Sequence, residues 1–116
     1  MSVGEWERKV REELEELRAL WEAYKERELL PVVREAREMG TKEALDEAVN
    51  IEVHIEGIEA LFAEVEAELE AEISATEQGD DFNAVIAAKR VMEALEMLRV
   101  YARRWREELR EVAAHG

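Results

Sequence analysis

Apolar residues recur three and four positions apart along most of this chain. Trp6, Val10, Leu14, Leu17, Trp21 and Tyr24 form one such series. Ala48, Ile51, Ile55, Ile58, Phe62, Val65, Leu69 and Ile73 form a second, and Val91, Leu95, Leu98, Ala102, Trp105, Leu109 and Val112 a third. An α-helix makes a turn every 3.6 residues, so this spacing sets each series on one helical face. Glu64 to Glu72 alternates acidic and apolar residues, which taken alone has the period of a strand. Its Glu and Ala content, and its continuity with the three-four series, assign it to helix.

Two breaks separate the series. At Met39-Gly40-Thr41-Lys42-Glu43, Gly40 suits the position just past a helix end and Thr41 suits the next N-cap. At Glu77-Gln78-Gly79-Asp80-Asp81, Gly79 ends a helix and Asp80 or Asp81 caps the one that follows. Three segments of similar length result, at about 3–39, 42–78 and 81–114 of a single domain covering 1–116. Similar lengths and very short connections predict an all-α, antiparallel, up-down-up three-helix bundle with long helices.

Pro31 interrupts the first segment. A proline inside a helix lacks the N–H for one backbone hydrogen bond and crowds the carbonyl four residues back, so a kink near Arg27 is expected. The apolar stripe also changes phase here, from Tyr24 to Leu30, Val33 and Ala36. Helix one either bends or divides into two shorter helices.

Composition removes several function classes. Cysteine is absent, which excludes disulfides and thiolate metal sites. The net charge of −14 argues against nucleic acid or an anionic membrane as a general partner. No stretch reaches the ~20 apolar residues of a spanning helix. The first residues lack the basic and apolar regions of a secretory signal, so the expectation is a soluble, cytoplasmic-type protein. Charge is also unevenly shared. Segment 42–78 holds twelve acids and one base, segment 3–39 eleven acids and eight bases, and segment 81–114 six acids and seven bases. Helices two and three should therefore attract, with Arg99, Arg103 and Arg104 near Glu52, Glu56 and Glu59.

His54 carries the most candidate chemistry. It sits mid-helix, one position off the apolar seam, with Asn50 a turn before it and Gly57 nearly a turn after. A glycine inside a helix costs ~1 kcal/mol against alanine, so Gly57 points to close approach of another backbone or to space for a flat ligand. Antiparallel pairing sets this level opposite Tyr24, Arg27, Glu28 and Pro31 of helix one, and opposite Tyr101, Arg104 and Trp105 of helix three. The pattern predicts a small-molecule or cofactor pocket in the bundle core. A neutral imidazole there can ligate a haem or related porphyrin iron, bind another metal, or act as a general base with Tyr24, Tyr101 or Glu28 assisting. Arg103 or Arg104 can pair with a ligand carboxylate. The plainer alternative is a partly exposed histidine at a helix boundary. A third reading is a non-enzymatic scaffold or homodimeric module with Trp6, Trp21 and Trp105 as interface anchors. Against that, the indoles can sit in the core with their N–H groups reaching solvent.

Three resemblances follow from these residues. Near-equal helices, minimal loops, fitting caps and dominance of Glu, Ala, Leu and Arg make the whole chain resemble computationally designed helical bundles. Glu26-Arg27-Glu28-Leu29-Leu30-Pro31 is similar to a helix end of hemerythrin-type domains, with His54 resembling a histidine of the next helix. Glu22 and Asn50 stand where that family carries further histidines, so its binuclear iron centre cannot be built here. Arg110 to His115 resembles the Arg-x4-His spacing of HEPN-type ribonucleases over six residues, without the basic groove that activity needs.

Overall fold

The computed structural model describes the backbone of residues 3–115 and the side chains of residues 4–111. All the long elements are helical, and no strand occurs among the described residues. Helix α1 covers Val3–Tyr24, and a short π-helical segment follows at Lys25–Leu29. Helix α2 covers Leu30–Met39, α3 covers Lys42–Glu77 and α4 covers Asp81–His115. These form three helical runs packed against one another, with overall extents of 57 × 32 × 15 Å.

Both turns use the residues their geometry demands. Gly40 and Gly79 have φ of 68° and 72°, the left-handed region that an ordinary side chain disfavours. The Thr41 hydroxyl accepts a hydrogen bond from the Ala44 N–H at 3.2 Å and so caps α3. Of the two candidate caps on α4, Asp80 takes the role, accepting from the Asn83 N–H at 3.2 Å.

The π-helical segment accounts for the phase change in the first run. It lies directly before Leu30-Pro31, and the Leu30 N–H donates to the Lys25 carbonyl five residues back. A π turn holds an extra residue, so it rotates everything after it by about 100° relative to an uninterrupted α-helix. Tyr24 and Val33 are thereby both buried although they do not share one α-helical face.

The apolar stripes meet in one main core. Val10, Leu14, Leu17, Trp21 and Tyr24 pack with Ile58, Phe62, Val65 and Leu69 of α3 and with Val91, Leu95, Leu98, Ala102 and Trp105 of α4. Trp6, Ile55, Ile73 and Leu109 are half-buried against it, and Val112 lies outside the described side chains. A second, smaller cluster joins Val33 and Ala36 of α2 to Ala44 and Ala48 of α3, with Ile51 beside it.

The charge pairing differs from expectation. Arg99 grips Glu13 of α1 through two nitrogens at 2.5 and 2.7 Å, and its third nitrogen meets Glu96. Arg104 pairs with Glu108 on its own helix. Glu52 and Glu59 pair with Arg37 and Lys25 from the first run, and Glu56 has no ion-pair partner among the described residues. Net segment charge ignored helical phase: at 100° per residue, Arg99 lies on the flank of α4 that faces α1, not the flank facing α3. The Glu13–Arg99 fork holds the Glu13 carboxyl below its ordinary range, the hydrogen bond from Arg99 being the main cause.

Candidate functional site

At the level of the π-helical segment the core is filled by rings. Trp21 and Trp105 are fully buried with centroids 5.0 Å apart, and Tyr24 stacks on Trp105 at 6.2 Å. The expected hollow in the middle of the bundle is therefore absent at this level. These rings are too large to leave one when all three point inward from adjacent turns.

A cleft opens instead at the surface beside them. It has a volume of about 290 Å³ and is lined by Tyr24, Leu29, His54, Tyr101, Arg104 and Trp105. Tyr101 stacks on Trp105 at 6.5 Å with 13° between the ring planes, which extends the aromatic floor toward solvent. The His54 ring stands edge-on to Tyr101 at 5.7 Å and to Trp21 at 6.4 Å. His54 itself is exposed, as is Arg104, so the imidazole and guanidinium form the rim of the cleft. Larger grooves exist, notably one between Arg11, Arg18, Glu66 and Glu70, but its arginines are already paired with those glutamates.

A polar chain runs along one wall. The Tyr24 hydroxyl lies beside Glu108, whose carboxylate accepts from Arg104 Nε at 2.9 Å. Burial, followed by the neighbouring Glu108 charge, raises the Tyr24 pKa far above that of a free phenol. The same contacts, from Tyr24 first and Arg104 second, lower the Glu108 pKa. Tyr24 therefore keeps its proton and is not a proton carrier. Arg104 spends only Nε on Glu108 and keeps its two terminal nitrogens for another acceptor.

Five of the eight residues expected from sequence thus come together: His54, Tyr24, Tyr101, Arg104 and Trp105. Glu28 is half-buried near Tyr24 but does not line the cleft. Asn50 and Gly57 are exposed and do not line it either. A Cβ added at Gly57 would meet nothing within 4 Å, so no backbone approaches closely there. Leu29 was missed; its signal was its place just before Leu30-Pro31, where the stripe changes phase.

Metal chemistry finds no support in the ligand geometry. Among the described residues no group of three or more His and carboxylate side chains converges as a metal site would require. The cleft also lies just below the 300–1,000 Å³ of sites that bury a drug-sized ligand. It forms a ring-sized recess floored by Tyr101 and Trp105. His115 of the ribonuclease-like spacing lies outside the described side chains.

Trp21 and Trp105 cannot serve as interface anchors, because both are buried in the main core. The Trp21 Nε1 is buried, with no acceptor among the described residues, so this indole does not reach solvent as one expectation had it. No helix among the described residues is long and apolar enough to cross a membrane. No protein-family model, curated protein or solved structure matches the chain.

Proposed function

We propose that the protein is a binding module for a small flat anion, held in the cleft between His54, Tyr101 and Arg104. The observation that carries this reading is the stepped aromatic floor of Trp105 and Tyr101 with unspent guanidinium donors at its edge. An aromatic ring stacks favourably on such a floor, and a carboxylate on that ring would meet the terminal nitrogens of Arg104. His54, on the opposite rim, offers a ring nitrogen for a further hydrogen bond to the bound ligand. The adjoining π-helical turn supports the assignment, since such turns are frequent at functional sites.

The architecture behind this reading is an up-down-up bundle whose first run bends at Pro31. Ion pairs Arg11–Glu70, Arg18–Glu66, Lys25–Glu59 and Arg37–Glu52 support it: partner numbers fall on α3 as they rise on the first run. Near-equal helices, two minimal turns and caps that fit their positions support a chain of the designed-bundle type.

The test is a titration with benzoate and indole-3-carboxylate beside benzamide and indole, read by tryptophan fluorescence and by backbone amide shifts. Both carboxylates are expected to move the Tyr101–Glu108 amides, and Arg104→Ala to weaken binding about tenfold, the size expected for one charge-assisted bond. Haemin is expected to give no shifted Soret band. Equal responses to carboxylates and their neutral counterparts, or none, would overturn the proposal.

A further inference from the structure

The charges around the cleft narrow the kind of anion it accepts. Its lining holds one permanent cation, Arg104, and no lysine or second arginine. The charges that act on the Tyr24 hydroxyl in its wall are Glu108, Arg104 and Glu28, two acids against one base. Glu107, exposed and three residues along from Arg104, adds a further carboxylate on a neighbouring part of the α4 surface. The other bases of this region are turned elsewhere. Arg103 and Arg106 leave α4 at about 100° and about 160° from Arg104, and Lys25 is engaged by Glu22 and Glu59. Arg27 is exposed and does not line the cleft.

Glu108 is central to this balance. Its carboxylate accepts from Arg104 Nε at 2.9 Å and so holds the guanidinium while leaving its terminal edge to a ligand. Tyr24 first and Arg104 second keep the Glu108 carboxyl below its ordinary range, so it is ionised throughout the neutral range. The negative charge that positions the guanidinium therefore stands beside any anion the guanidinium binds. A singly charged ligand gains the charge-assisted bonds and meets this repulsion once. A doubly charged ligand meets it twice, finds no second cation and sheds more water on entering.

We propose that Glu108 makes the cleft selective for singly charged aromatic anions over doubly charged ones such as aryl phosphates. The inference rests on the cleft being an anion site, and it adds the class of anion and the residue that sets it. Glu108 acts by positioning Arg104 and by its own charge.

Phenyl sulfate and phenyl phosphate, titrated into the full chain at about pH 8 with benzoate as reference, test this. The two esters have the same shape, and above the second phosphate pKa near ~6 they differ by one charge. Dissociation constants come from the Tyr101–Glu108 amide shifts. Phenyl sulfate is expected to bind within a few-fold of benzoate, and phenyl phosphate about threefold or more weaker than phenyl sulfate. That gap should narrow as salt is raised from about 0.01 M to about 1 M. Glu108→Gln keeps an acceptor for Arg104 Nε and removes the charge, so it should close most of the gap while changing phenyl sulfate far less.

Phenyl phosphate binding as tightly as phenyl sulfate, or tighter, would overturn the selectivity. So would Glu108→Gln shifting both esters by one common factor, which is what a purely structural role predicts. If benzoate and phenyl sulfate bind without discrimination against the phosphate, the selectivity alone falls. If neither binds, the anion site falls with it.

Discussion

The main core and the α2–α3 corner solve the same packing problem with opposite materials. The main core brings Trp21, Trp105, Phe62 and a shell of Leu and Val together from three helices. The corner relies on Val33 and three alanines between two helices. Hydrophobic stabilisation scales with apolar area removed from water, so the rings and leucines contribute several times more per residue than the alanines. The alanines instead let α2 and α3 approach closely, next to the tight turn at Gly40-Thr41 that joins them. The lesson is that one continuous helix, α3, spans a strongly and a weakly anchored region. Local opening should begin at the corner. Native-state hydrogen exchange should show α2 amides exchanging well before those at the centres of α1 and α4.

Removing the material that distinguishes the main core has the largest expected effect. Trp105→Ala should cost about 3–5 kcal/mol in urea unfolding, since a fully buried ring leaves a cavity its neighbours cannot fill. A loss under about 1 kcal/mol would mean the rings are not what anchors this end.

Next comes the corner's close contact. Ala48 is fully buried, so Ala48→Leu should destabilise by about 1–3 kcal/mol and raise α2 exchange first. A gain in stability would show the corner to be underpacked and would break the contrast.

Thr41→Ala removes the α3 cap and should cost about 1 kcal/mol. Faster exchange confined to α2 and the start of α3 would sharpen the comparison. Uniform loosening of all helices would erase it.

The smallest effect is electrostatic and belongs to the main core's edge. The Glu13 carboxyl is held low by Arg99, so its stabilising contribution is present above the unfolded value near ~4.3 and is lost as pH falls through the lowered folded value. Glu13→Gln should lower stability at neutral pH by under about 1 kcal/mol for so exposed a pair, seen as a modest fall in Tm. The gap to the parent should close in acid. A gap that persists at the lowest pH would assign the effect to packing.

Much of this was legible in the chain. The three stripes named nearly every main-core residue, because a 3.6-residue period leaves few ways to bury Leu14, Phe62 or Leu98. The Thr41 cap followed from hydroxyl chemistry, and carboxylate chemistry narrowed the second cap to Asp80 or Asp81. The π turn was visible only as a phase slip, because an inserted residue changes the register without changing composition. The ring cluster was placed at the right level, yet its volume was not. Spacing reports which residues meet, and only packing reports whether they leave a space. The Arg99–Glu13 fork escaped because helix-averaged charge contains no angular information.

The paired indoles have a consequence for observing this molecule. Two chromophores 5.0 Å apart with 41° between their planes couple their transitions, which produces a paired positive and negative signal in circular dichroism. That couplet is dominated by the separation and tilt of Trp21 and Trp105, with Tyr24 and Tyr101 stacked beside Trp105, while the half-buried Trp6 contributes to emission without joining it. The protein therefore carries its own optical gauge of one packing contact, which can be followed without a label while the rest of the helices give their separate far-ultraviolet signal.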